Sequence, residues 1–153
     1  MVAIPEQLAA QILANPDDHE AYLVLADVLT AHGDLRGELI VASHQLLARP
    51  DDPALQERVG ELLAAVRTSF DKAARFHSPS RAAQATTWHL GFVHTLRLEH
   101  PELETLRSAL AHSSARFLRK LVVTCTPDAT EAVRELLRDA PFEVELHSQR
   151  RSR

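Results

Sequence analysis

Phe92-Val93-His94-Thr95-Leu96-Arg97-Leu98, Leu118-Arg119-Lys120-Leu121-Val122-Val123-Thr124 and Phe142-Glu143-Val144-Glu145-Leu146-His147 are rich in strand formers, and the first and last alternate in polarity. Such segments predict β-strands. Their spacing says more than their labels. Leu96 to Leu121 is 25 residues and Leu121 to Val144 is 23, and Leu98, Val123 and Leu146 repeat those intervals. Between the strands, His100-Pro101-Glu102 opens a helical pattern carrying Leu103, Leu106 and Leu110. Pro127-Asp128-Ala129-Thr130-Glu131 opens another with Val133, Leu136 and Leu137. A strand plus a helix every about 20–29 residues is the period of a solenoid of stacked parallel strands. An array this short cannot bury its own ends, so the preceding half of the chain is expected to cover the first strand. An ordinary βαβαβ half-sheet is the alternative.

If Leu96, Leu98, Leu121, Val123, Val144 and Leu146 point inward, their neighbours point out, because strand side chains alternate. The outward rows are then Thr95–Lys120–Glu143, Arg97–Val122–Glu145 and Glu99–Thr124–His147. The first two rows set basic beside acidic positions on different strands, which favours this register. Arg97, Glu99, Lys120, Val122, Glu143 and Glu145 are therefore the candidate partner-binding residues. The last strand has no following repeat beside it, so it either blunts its edge with Glu143 and Glu145 or pairs with another strand.

The first half reads as helices. Pro5 suits a first helical turn, and Leu8, Ile12 and Leu13 share a face. Asn15-Pro16-Asp17-Asp18 breaks that helix and caps the next, where Ala21, Tyr22, Leu25, Ala26 and Leu29 form a stripe. Gly33 supplies a left-handed stop and Asp34 caps a third helix with Leu35, Leu39, Ile40, Leu46 and Leu47. A fourth runs from Ala54 to about Phe76. Residues 77–87 have no clear period and read as a linker. Asp27, beside the apolar stripe, needs a cation, and Arg36 across the turn is the expected structural partner. Trp88 is expected to fill the joint between the two halves.

Leu23-Val24-Leu25-Ala26-Asp27-Val28-Leu29 followed by Gly33-Asp34-x-Arg36-Gly37-Glu38-Leu39-Ile40 resembles the bacterial repeat-companion domain, a small helical module found ahead of leucine-rich repeats. Trp88-His89-x-Gly91-Phe92-Val93 resembles the entry into those repeats. Val28 stands where the family usually has Trp, and Leu25 where it often has Tyr. The resemblance implies a protein-interaction scaffold and no catalytic residue.

Composition narrows the rest. The 153 residues carry 17 Lys plus Arg against 21 Asp plus Glu, a net charge of −4, without the basic field of a nucleic-acid binder. Residues 1–87 sum to −5 and residues 88–153 to +1, ending on the basic tip Gln149-Arg150-Arg151-Ser152-Arg153. A single cysteine, Cys125, and an N-terminus unlike a signal peptide point to a reducing cytoplasm. Four glycines cannot build a phosphate loop, and no serine has glycines two residues to either side. Nine histidines show no metal-binding spacing, although His89, His94 and His100 lie close in sequence.

The sequence thus predicts an α+β chain: about four helices packed on a short β-α-β-α-β parallel, leucine-rich-repeat-like unit. The expected divisions are 1–76 helical, 77–87 linker, 88–147 αβ unit and 148–153 basic tail. The expected function is a non-enzymatic adaptor or scaffold that binds another protein or itself. It has no cofactor, no catalytic or metal residue, and neither membrane nor nucleic acid as partner. Two alternatives are a metal-binding protein or enzyme using His89, His94 and His100, and a nucleic-acid regulator acting through the arginine-rich C-terminus.

Overall fold

The computed structural model describes residues 3–150. The chain divides into two compact units, one up to Ser69 and one from Phe70 onward. The fold is α+β, with seven α-helices and one four-stranded mixed sheet among the described residues.

The first unit holds α1 (Glu6–Ala14), α2 (His19–Ala31), α3 (Leu35–Ala48) and most of α4 (Pro53–Ala73). The Asp18 carboxylate accepts from the Ala21 N–H at 3.1 Å and from Gln11 Nε2 at 2.8 Å, so one side chain caps α2 and ties it to α1. The stripe Ala21, Tyr22, Leu25, Ala26 and Leu29 is buried as its period predicts. Gly33 takes φ +72, a left-handed turn that glycine makes at little cost, and Asp34 then caps α3. Gly37 lets the two helices touch: a Cβ there would stand 2.2 Å from Thr30 Oγ1 and 2.7 Å from the Ala26 carbonyl oxygen.

The pair across that turn is not the expected one. Arg36 bonds Asp34, with Nε donating to its two carboxylate oxygens at 3.0 and 3.2 Å. Asp27 is exposed on α2. The cap explains the difference. Asp34 already receives the Arg36 N–H at 3.0 Å, so its carboxylate lies two residues from the guanidinium and needs no help across the turn. Burial works against the Asp34 charge, but the bonds from Arg36 outweigh it and hold the carboxyl below its usual range.

The second unit holds α5 (Pro79–Ala85), β1 (Thr86–His89), β2 (Phe92–Glu99), α6 (Leu103–Ala111), β3 (Lys120–Cys125), α7 (Pro127–Leu136) and β4 (Glu143–Ser148). Strand order is β1-β2-β3-β4. β2, β3 and β4 are parallel, with Leu96 opposite Leu121 opposite Val144, and Leu98 opposite Val123 opposite Leu146. The 25- and 23-residue intervals are therefore the register itself. Phe70, Val93, Leu96, Leu106, Leu121, Val123 and Val133 are among the buried side chains of one core, with Val144 and Leu146 packed on it half-buried.

Residues 77–87 are not a linker. Ser78 accepts from the Arg81 N–H and Pro79 takes the first turn of α5; the chain then enters β1. β1 lies antiparallel on β2, so the outer edge of the first parallel strand is covered from within the second unit. The boundary accordingly falls at Ser69/Phe70 instead of residue 76. Leu90 and Gly91, at φ 45 and 83, make the two-residue hairpin turn. Thr87 faces Thr95 while Trp88 faces Val93, leaving His94 as the extra residue of a β-bulge. The bulge lets Val93 and Leu96 join the same core despite their odd spacing.

Candidate functional site

The outward rows form as the register requires: Thr95–Lys120–Glu143, Arg97–Val122–Glu145 and Glu99–Thr124–His147. Lys120 is the middle residue of the first row. Its Nζ donates to Glu145 at 2.6 Å and lies 3.4 Å from Glu143. His147 Nε2 stands 3.8 Å from the other Glu145 oxygen. The hydrogen bond to Glu145 raises the Lys120 pKa, and the same bond holds the Glu145 carboxyl down, with smaller help from His147 and Arg97.

This face is not uniform. On the β2 side, α5 comes over it, with Arg81 Nη2 donating to Glu99 at 2.7 Å. Arg97 and Glu143 are exposed, and Lys120 and Glu145 are half-buried. Val122, expected among the contact residues, is only 6% exposed. It lies on an inner strand with Arg97 and Glu145 beside it in register, and long charged side chains cover apolar neighbours in this way. It therefore drops out of the contact set.

β4 ends the sheet. Beside it α7 leaves a groove of about 550 Å³ whose wall includes Leu137, Val144 and Leu146. Its rim carries the helical pairs Glu131–Arg134, at 2.8 Å, and Glu135–Arg138. The residue pattern is an apolar slot with a charged margin, next to a strand edge whose main-chain groups have no sheet neighbour among the described residues.

The histidines do not assemble into a site. His89 and His94 face each other across the hairpin with ring centroids 5.5 Å apart. His100 follows the far end of β2, about 20 Å along the strand from His94 at the rise of an extended chain. Among the described residues, no three His, Cys, Asp or Glu side chains gather as a metal centre. Cys125 is buried with Sγ 3.5 Å from Thr130 Oγ1. Trp88 is half-buried, edge-on to Phe70 at 5.8 Å, and donates to Thr86 Oγ1 at 3.2 Å, so its packing lies within the second unit. Arg151–Arg153 of the basic tip lie outside the described residues.

These features define an α+β protein built on a short parallel strand stack that is covered at one edge and, among the described residues, bare at the other. The chain matches no family model, no curated protein and no solved structure. Among the described residues, no helix is long and apolar enough to cross a membrane.

Proposed function

We propose that this chain is a non-enzymatic protein-interaction module of the bacterial cytoplasm, an adaptor or scaffold that binds a partner protein or a second copy of itself through β4. The observation that carries the reading is the β4 edge, bare among the described residues, beside the apolar groove under α7. An added strand gains main-chain hydrogen bonds along such an edge, while side-chain slots beside it select the sequence. Glu143 and Glu145, fixed by Lys120, then set the charge a partner must match. The resemblance to repeat-companion domains, which accompany interaction repeats, supports the same reading.

Light scattering and capture on the immobilised chain test it. Wild type is expected to self-associate or to retain a partner, and the Glu143→Lys/Glu145→Lys variant to do neither while keeping its circular dichroism spectrum. A monomer that retains nothing, or a double variant that binds as well as wild type, contradicts the proposal.

A further inference from the structure

A second concavity, of about 500 Å³, lies within the second unit, away from the groove beside β4. Four stretches of chain meet there: the residues just after α4, α5, the last residues of β2, and the turn into α6. Arg75, Arg81 and Arg97 come from three of them. Arg75 pairs with Glu102 and Arg81 with Glu99, both at 2.7 Å, which leaves Arg97 without an ion pair among the described residues. In a chain of net charge −4, this cleft holds three arginines against two glutamates.

The two existing pairs are weak anchors. All four side chains are more than half exposed, and solvent-screened pairs of this kind add little to stability. They hold two guanidinium forks at the cleft and release them readily to a stronger acceptor. A dianion with three terminal oxygens matches three planar forks, whereas a single carboxylate offers only two oxygens. Phe76, Leu98 and Pro101 supply apolar wall for an organic group. The volume is in the usual range for a small-ligand site, about 300–1,000 Å³.

The backbone adds an independent sign. Three described residues other than glycine have positive φ, and two of them, Arg75 at 52° and His100 at 47°, line this cleft. Arg75 sits at the left-handed stop of α4, where Phe76 N–H reaches back to the Asp71 carbonyl at 2.9 Å. Glycine is the residue that fits such a stop without strain, so arginine is there at a conformational cost. Strain of this kind gathers at functional sites.

We infer that the cleft binds a phosphate monoester, with Arg97 as the primary contact and Arg75 and Arg81 swinging from their glutamates onto the phosphate. The inference stands apart from the role proposed for β4. Nuclear magnetic resonance titration of the full chain tests it, using phenyl phosphate, a short peptide bearing one phosphotyrosine, inorganic phosphate and benzoate. Saturable shifts are expected at residues 75–85 and 97–105 with the two monoesters, and weaker ones with inorganic phosphate and benzoate. Tighter binding of phenyl phosphate assigns the site to a small molecule, and tighter binding of the peptide assigns it to a phosphorylated protein.

Arg97→Gln is expected to weaken binding roughly tenfold or more, the loss of one charge-assisted contact. Arg75→Gly separates ligand from fold: it is expected to weaken binding yet leave the melting temperature unchanged or higher. No saturable shift with either monoester, benzoate binding as tightly as phenyl phosphate, or full affinity in Arg97→Gln would overturn the inference.

Discussion

The two edges of one sheet have opposite characters. On the β1 side the first parallel strand, β2, is covered by an antiparallel neighbour, a tight hairpin and α5, and four of its eight residues are buried. On the β4 side the last strand has no fully buried residue, although the same register carries Val144 and Leu146 onto the core. The difference teaches that a short strand stack closes only where the chain invests extra structure. The 11 residues from Pro79 to His89 do this at one end, and nothing equivalent lies beside β4 among the described residues. A closed edge stabilises the unit, and an open one is available to another molecule.

The comparison can be broken by core truncation. Leu121→Ala, on an inner strand and fully buried, is expected to cost roughly 2–5 kcal/mol of unfolding free energy. Leu146→Ala, at the half-buried edge, is expected to cost about half as much, because less of its surface leaves water. Urea denaturation of both variants decides it. Equal losses would mean that β4 is as enclosed as β3 and would remove the contrast.

A smaller effect sharpens it. Glu145 has its carboxyl held below the usual range by Lys120, so its contribution is present above pH 4.5 and is lost as pH falls through the lowered value. Lys120 is raised, so its contribution is present below pH 10.5 and is lost as pH rises through the raised value. Thermal melts of Glu145→Gln are expected to show a flatter response in both windows than wild type. An unchanged pH profile would show that the pair does not join β3 to β4 in solution.

Much of this fold was legible in the sequence, for a physical reason. Parallel strands stacked through a repeating helix must keep a near-constant interval, so Leu96, Leu121 and Val144 encode their own register. The outward rows follow by alternation, Lys120 beside Glu143 included, whereas the shorter bond from Lys120 to Glu145 runs diagonally between two rows and does not follow from it. The covered edge was less legible. Thr86-Thr87-Trp88-His89 is strand-prone but short, and its turn is Leu90-Gly91 in place of the usual Asn-Gly. Ser78-Pro79 is a cap followed by a first-turn proline, a signal available for α5 but hidden by the weak period after it.

Pairing and burial were harder still. The place of Asp27 beside the apolar stripe suggests a need for a cation, yet its side chain is exposed and Arg36 bonds the nearer Asp34, which serves as the cap. Alternation says which face Val122 is on but not how much its neighbours cover it. The hairpin brings His89 to His94, but β2 carries His100 away from both, because an extended strand spreads residues where a helix would gather them.

The central claim is that β4, and not the β1 side, meets another protein. Site-specific photo-cross-linking in bacterial cells producing the chain tests it most directly. A photoreactive side chain is placed at the exposed positions His147 in β4 and Thr87 in β1. Adducts, to a second copy or to a distinct protein, are predicted from position 147 alone, and their loss is predicted when Glu143→Lys/Glu145→Lys is added. Adducts from position 87 alone, or from neither position, would contradict the account.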